Sequence, residues 1–264
     1  MPSRTVATPH GQLAVYETGD GPALVLLHAD SGRASQWSDL AGRLGRDHRV
    51  VSFDFRGSGA SSAAANGDYS YAGRAEDIDA VVEALKLDHL VVVAHSGGGP
   101  AALSYAASHP GRVAGVFLLD PPSDPRQMPP EVKKTFLSDL AGPGSLAAQK
   151  AFYGGIAGGN AAVRERVLRD TECTQAAARY GLGEAMAGWN PEPALDAWSG
   201  PLFILASQPS DTPAALYRLR PQIEHRVVEN TGHWIHLEQP DEVERAIRDF
   251  AAPLQPRCAP SAAG

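Results

Sequence analysis

Four short apolar segments constrain the fold of this chain more than any other feature. They read ALVLLHA from Ala23, RVVSFDF from Arg49, HLVVVAH from His89 and VAGVFLLD from Val113. None alternates between apolar and polar residues as a half-exposed strand would, and unbroken runs of this kind are typical of strands that are covered on both faces. The four segments therefore predict a parallel sheet.

Segments with helical periodicity separate these strands. The segment YAGRAEDIDAVVEALKL carries one apolar stripe at helical spacing, formed by Ile78, Val81, Val82 and Leu85. Alternating strands and helices are typical of the α/β class, in which right-handed crossovers place helices on both faces of the sheet. We therefore predict an α/β fold with a mostly parallel, twisted sheet.

The alternation stops after Leu119, where prolines and Gly/Ala-rich helical stretches replace the strand pattern. Strands return in PLFILAS from Pro201 and in HRVVEN from His225, and PDEVERAIRDF predicts a final helix with Pro240 at its start. These changes divide the chain into a core of residues 1–122 and 197–252, a helical cap of residues 123–196 and a disordered tail of residues 253–264.

Composition narrows the choice of partners. The 264 residues suffice for one domain with an insertion, and a net charge of -7 disfavours nucleic acid or an anionic membrane surface. Cys173 and Cys258 are too few for a disulfide framework, no Cys/His cluster has metal-ligand spacing, and neither a signal peptide nor a membrane-spanning run is visible. We expect a cytoplasmic protein that acts on a small molecule, and the composition leaves a homodimer open.

A serine followed by three glycines lies between a predicted strand and a predicted helix. The stretch AHSGGG places Ser96 on the turn between them, and a sharp turn there lifts a side chain out of the sheet in the nucleophile-elbow arrangement. A turn with positive φ leaves little room for Cβ atoms, which suits Gly97 and Gly98, and the Gly97 N–H is free to bind an oxyanion. Ser96 is therefore the candidate nucleophile.

A serine hydroxyl needs a general base, and histidine is the usual one because its pKa lies near neutral. His233, in GHWIHLEQPDEV, follows the last strand and leads into the final helix, so we assign it this role. His28 and His95 are rival candidates for the base. We expect His28 to brace the loop that follows it and His95 to pack in the core. Asp30 or Ser31, in HADSGRASQW, would supply the second oxyanion N–H, and the Asp30 carboxylate would have to turn away or bind a polar substrate group.

These motifs resemble the α/β-hydrolase superfamily over nearly the whole chain. The matching segments are LLHADSGRASQW for its oxyanion loop, DFRGSGASS for its Asp-x-Arg-Gly-x-Gly-x-Ser segment, AHSGGG for the elbow and GHWIHLEQPDEV for the histidine loop. Ala29 and Ala94 replace glycines of the family pattern. The resemblance implies an α/β-hydrolase fold with a helical cap after the sixth strand, and a triad that needs no cofactor or metal.

The acid of the triad has two candidates. Most members carry it after the strand represented here by PLFILAS, in a Gly-x-x-Asp turn, and Asp211 comes one place later than that spacing if Ser207 stands for the glycine. Other members place it one strand earlier, where Asp120 ends VFLLD. Its offset of 24 residues from Ser96 is similar to that in fungal zearalenone lactonases, so we prefer Asp120 and keep Asp211 as the alternative.

The resemblance implies acyl transfer to water, with a small-molecule ester or lactone as substrate. Zearalenone-type lactonase is a narrower alternative, and C–C hydrolases, perhydrolases and hydroxynitrile lyases use a similar triad. A ligand receptor that retains the triad is the alternative from another class. The predicted pocket residues are His28, Phe136, Tyr153 and Trp189.

Overall fold

A single eight-stranded sheet organises the computed structural model, which describes residues 1–255. The strands are β1 (Arg4–Thr8), β2 (Gly11–Thr18), β3 (Ala23–Leu27), β4 (Arg49–Phe53), β5 (Leu90–His95), β6 (Val113–Leu119), β7 (Leu202–Ser207) and β8 (Glu224–Val228). Their order is β1-β2-β4-β3-β5-β6-β7-β8. The six strands from β4 to β8 in this order are parallel, which confirms the predicted mostly parallel sheet.

The first two strands, β1 and β2, are absent from the sequence-based prediction. They form an antiparallel hairpin, and β2 pairs antiparallel with β4. In β1 only Val6 is buried, and in β2 only Leu13, Ala14 and Val15 are buried, so neither strand is a long apolar run. A search for unbroken apolar runs misses such strands because one face of an edge hairpin lies in water.

Helices connect the strands and cover both faces of the sheet. They are α1 (Ser38–Leu44), α2 (Tyr71–Leu85), α3 (Gly98–Ser108), α4 (Pro130–Ala141), α5 (Ser145–Ile156), α6 (Ala161–Thr171), α7 (Ala176–Gly188), α8 (Glu192–Ala197), α9 (Leu216–Leu219), α10 (Ile235–Glu238) and α11 (Pro240–Ala251). The apolar stripes of α2 and α3 pack on one face. Those of α1 and α11 pack on the other, so the core consists of two apolar layers around the sheet.

Helices α4 to α8 follow one another between β6 and β7, and residues 121–196 contain no strand. The C-terminal segment differs from the predicted tail, because Ala252–Leu254 form a 3₁₀ turn and Leu254 packs against the core. The rest of that predicted tail, including Cys258, lies outside the described residues. Within residues 1–255, no helix combines the length and the hydropathy that a membrane crossing requires.

Candidate active site

The turn at Ser96 has the geometry of a nucleophile elbow. Ser96 lies between β5 and α3 with φ at 49°, a left-handed conformation that serine seldom adopts, and its N–H donates to the Leu119 carbonyl at 2.9 Å. The positive φ therefore falls on the serine itself and not on the glycines after it. Gly98 is needed for space, since a Cβ there would lie 2.8 Å from the His28 carbonyl oxygen.

Gly97 faces the side chain of Asp30. A Cβ at Gly97 would lie 2.2 Å from the Asp30 Cγ, so the carboxyl group rests directly on the glycine at the start of α3. The Asp30 Oδ1 accepts a hydrogen bond from Arg74 Nη1 at 2.7 Å, and its Oδ2 accepts one from Tyr71 Oη at 2.9 Å. The carboxyl group thus stays beside the candidate oxyanion site but is held by its own partners.

Arg74 supplies the charge that balances Asp30. Its side chain is fully buried, its guanidinium lies 4.4 Å from the centre of the Phe55 ring, and its ion pair is with Asp30. Burial raises the pKa of Asp30, and the positive charge of Arg74 opposes that shift. A buried guanidinium needs an anionic partner, so the pair leaves little net charge beside Ser96.

His233 and Asp120 are in direct contact. His233 Nδ1 lies 2.6 Å from Asp120 Oδ2, and the Asp120 side chain is completely buried at the end of β6. Asp120 also accepts hydrogen bonds from the Ser207 N–H at 2.7 Å, from the Ser207 hydroxyl at 2.9 Å and from the Ser210 hydroxyl at 3.0 Å. Such a carboxylate can hold the histidine in one tautomer and stabilise its protonated form.

Asp211, the alternative acid, is committed elsewhere. Its carboxylate pairs with Arg218 at 2.7 and 2.8 Å and accepts from Tyr217 Oη at 3.1 Å. The hydrogen bond from Arg218 lowers the pKa of Asp211. The structure therefore brings Asp120, and not Asp211, to His233.

Sequence reasoning missed the two serines that hold Asp120. Ser207 and Ser210 have the spacing of the glycine and the aspartate in the Gly-x-x-Asp turn of most family members. Ser210 thus stands where the acid usually lies, and its hydroxyl points to the carboxylate on the neighbouring strand. The signal was present in the sequence as a hydroxyl at the acid position.

The rival histidines are buried around the site. The His28 Nε2 accepts from the Phe55 N–H at 3.0 Å and its Nδ1 lies 2.7 Å from the Ala29 carbonyl oxygen, so it links the oxyanion loop to the residues after β4. The His95 Nε2 lies 2.9 Å from the His233 carbonyl oxygen, and the two rings lie 4.7 Å apart. Burial lowers the pKa of His28 to about 3 and that of His95 well below its usual value. Neither histidine is therefore suited to act as a base near neutral pH.

A cavity of about 400 Å³ opens over Ser96 and His233. Its wall is mainly apolar and comes largely from the segment between β6 and β7, with Met128, Phe136, Leu140, Phe152, Tyr153, Ile156, Leu182 and Met186. Asp30 and Gly97 also line it, whereas Ser31 does not.

Of the predicted pocket residues, Phe136 and Tyr153 lie in the wall of this cavity. His28 is enclosed behind the oxyanion loop and Trp189 packs against Tyr71, so neither reaches the cavity.

Comparison with known proteins agrees with this fold. The model of the alpha/beta hydrolase family matches residues 24–246. Among solved structures, Est816, described as an N-acyl homoserine lactone degrading enzyme, superimposes with a TM-score of 0.78 at 25% identity over 94% of this chain and all of that one. The enol-lactonase from Burkholderia xenovorans shares the fold, with a TM-score of 0.80 at 21% identity over 94% of this chain and 100% of its own.

Two curated relatives illustrate the sequence similarity. The esterase YbfF of Escherichia coli is 24% identical over 90% of this chain and 96% of its own length. A carbamate hydrolase assigned as RutD in Variovorax paradoxus is 34% identical over 42% of each chain, and the first curated relatives are matched over less than half of their own length. With the family model matching most of its length, this chain belongs to the alpha/beta hydrolase family.

Proposed function

We propose that this protein is a serine hydrolase that cleaves a carboxylic ester or lactone of a small molecule through an acyl-enzyme. One observation carries the proposal: Ser96 lies at an elbow in the same cavity as His233, which is hydrogen-bonded at 2.6 Å to the buried Asp120. A nucleophile, a base and an acid in this order are the parts that acyl transfer requires.

The first half of the proposed reaction acylates Ser96. Its Oγ attacks the carbonyl carbon while His233 takes the hydroxyl proton, and Asp120 stabilises the resulting imidazolium. The backbone N–H groups of Gly97 and Asp30 hold the oxyanion of the tetrahedral intermediate. The carbon–oxygen bond of the ester then breaks, and His233 returns the proton to the leaving alcohol.

The second half releases the acid. Water loses a proton to His233 as it attacks the acyl carbonyl, and a second tetrahedral oxyanion forms. As this intermediate collapses, the bond between the acyl carbon and the Ser96 Oγ breaks, and the Oγ takes the proton from His233. A lactone follows the same steps, except that the alcohol stays attached to the acyl group. The residues named here account for every proton transfer.

The cavity supports a substrate that is mostly apolar near the scissile bond. Apolar side chains make up most of its wall, whereas Ser123, Asp124, Gln127 and Gln149 supply the few polar groups away from Ser96 and His233. We propose that residues 123–196 act as a cap that selects this substrate. The activities for which Est816 and the esterase YbfF are named make lactones and simple esters the first compounds to test.

The test is hydrolysis of p-nitrophenyl butyrate by wild type and by Ser96→Ala. We expect the variant to lose at least about 10^4-fold in kcat, because no other group replaces the nucleophile. Ser104→Ala, at a partly exposed position of α3, is the matched control and should turn over at the wild-type rate. A fluorophosphonate should add one adduct to wild type, as read by intact mass, and labelling that survives in Ser96→Ala would refute the assignment. A folded wild type without turnover on esters or lactones would favour the receptor alternative.

A further inference from the structure

Helix α5 is hydrogen-bonded to both loops that carry the candidate chemistry. The Tyr153 hydroxyl donates to the Asp30 carbonyl oxygen at 2.7 Å, on the oxyanion loop. Three residues later, the Ile156 carbonyl accepts from the His233 N–H at 3.0 Å, on the histidine loop. One element of the segment between β6 and β7 therefore contacts the machinery on both sides of Ser96.

Tyr153 is itself held firmly. Its side chain is buried, and its ring meets the Trp234 ring edge to face at 5.5 Å, directly beside His233. Burial raises the pKa of the Tyr153 phenol, so the hydroxyl stays protonated and remains a donor. The hydrogen bond to Asp30 is therefore short, enclosed and independent of ordinary changes of pH.

The accepting carbonyl belongs to a strained part of the oxyanion loop. It is part of the peptide between Asp30 and Ser31, and Ser31 has φ at 53°, a left-handed value that a serine adopts at some cost in energy. The Asp30 side chain is bound by Arg74 and Tyr71. The bond from Tyr153 restrains the backbone of the same residue, and its loss would free the peptide that follows the candidate oxyanion donor.

We propose that Tyr153 is a positioning residue, which fixes the backbone of Asp30 so that its N–H points at the oxyanion. This inference rests on the proposed function for its kinetic consequence, but not for its structural one. Tyr153 lines the cavity, yet its hydroxyl acts through Asp30 and not on the substrate. Oxyanion donors must lie within about 3 Å of the developing charge, so a small displacement of the loop weakens transition-state binding more than substrate binding.

The kinetic test compares Tyr153→Phe with wild type. Phenylalanine keeps the ring packed on Trp234 and removes only the hydroxyl. We expect kcat on p-nitrophenyl butyrate to fall about 10- to 100-fold, with KM changed by less than about threefold, and the Ki of a boronic acid that forms a tetrahedral adduct with serine to rise by the same factor as kcat falls. Tyr180→Phe, which removes a hydroxyl on α7, is the matched control and should match wild type. Equal kcat in Tyr153→Phe and wild type would overturn the proposal.

Hydrogen exchange gives a readout that does not depend on activity. In Tyr153→Phe, amides of residues 29–33 should exchange at least about tenfold faster than in wild type, whereas those of β5 should not change. Unchanged exchange in the loop would overturn the positioning role even if kcat fell. A wild type that hydrolyses no ester and reacts with no fluorophosphonate would refute the proposed function alone, and the exchange experiment would then decide the role of Tyr153.

Discussion

Two residues at the ends of adjacent parallel strands adopt the left-handed conformation. Ser96 after β5 has φ at 49° and Asp120 after β6 has φ at 45°. The backbone N–H of each donates to the neighbouring strand. The Ser96 N–H donates to the Leu119 carbonyl oxygen of β6, and the Asp120 N–H donates to the Leu205 carbonyl oxygen of β7 at 2.8 Å. Strained conformations persist only where the surroundings fix them, and here the sheet turns both side chains out of their strand direction toward His233.

The assignment of the acid is tested at these residues. Asp120→Asn should lower kcat by about 10^3- to 10^4-fold, because an amide cannot hold His233 in the productive tautomer or stabilise its positive charge. Asp211→Asn should change kcat by less than about threefold, since its partner is the half-exposed Arg218. Steady-state kinetics on one ester decide the matter, and the reverse ranking would move the acid to Asp211.

Local sequence patterns identify the triad candidates but do not choose between the two acids. The elbow, the histidine loop and the strand ends follow from local patterns, so Ser96, His233 and Asp120 could be named from the sequence. The choice between Asp120 and Asp211 could not be settled there, because it depends on which side chain finds other partners. Arg218 is seven residues from Asp211 in sequence, and no pattern states that the two pair.

At the scale of elements, the acid sits on β6 and the turn after β7 supports it. The Ser207 and Ser210 hydroxyls both donate to Asp120, and Ser210 lies at the place where a Gly-x-x-Asp turn would carry the acid. A hydroxyl there is a neutral donor, whereas a second carboxylate would repel Asp120. The residue after β6 thus provides the carboxylate, and the turn after β7 provides hydroxyl groups that bind it.

This arrangement predicts that the acid can be moved by one strand. In the Asp120→Asn background, adding Ser210→Asp should raise kcat by at least about tenfold, since the Ser210 Oγ lies 3.0 Å from the carboxylate it would replace. Asp120→Asn with Ser210→Asn has the same shape without the charge and should show no recovery. Equal kcat in the two double variants would mean that the β7 turn cannot present a carboxylate to His233.

The buried strands could be predicted from the sequence, whereas the β1–β2 hairpin and the contacts of α5 could not. Strands covered on both faces form unbroken apolar runs, so the five strands from β3 to β7 could be predicted from the sequence. The hairpin of β1 and β2 could not, because its residues are half exposed and its pairing with β4 is a long-range contact. The contacts of α5 with two distant loops were equally invisible, since they join residues more than 70 positions apart.

At the scale of the whole molecule, several histidines are buried in neutral form. Burial lowers the pKa of His28 and of His236 to about 3, and His236 stacks on Trp37 at 4.4 Å with neither ring nitrogen hydrogen-bonded. The unfolded chain binds protons on these groups below about pH 6.5, whereas the folded chain does not until about pH 3. The contribution of these neutral histidines to stability is therefore fully present above about pH 6.5 and is lost progressively as the pH falls below it.

The contribution of one histidine can be isolated with His236→Phe. Each buried neutral histidine should cost about 1.4 kcal/mol of unfolding free energy per pH unit below 6.5, so wild type should lose more than the variant between pH 6.5 and pH 5. Urea unfolding at each pH measures the difference. His225→Phe is the matched control, because it makes the same substitution at an exposed histidine that also stacks on a ring, that of Tyr217. Identical slopes in all three proteins would mean that His236 is not held neutral by the fold.

The contact between the end of α5 and the histidine loop extends to two glycines, Gly158 and Gly232, whose backbones touch. A Cβ on Gly232 would lie 2.5 Å from the Gly158 nitrogen, one on Gly158 would lie 2.8 Å from the Gly232 nitrogen, and Gly158 has φ at 73°. Sequence drift in the segment between β6 and β7 can therefore alter the cavity wall freely while these two positions stay fixed. A library that randomises this segment for new substrates should keep Gly158, which faces Gly232 of the histidine loop, so that new specificities are gained without separating the segment from the histidine.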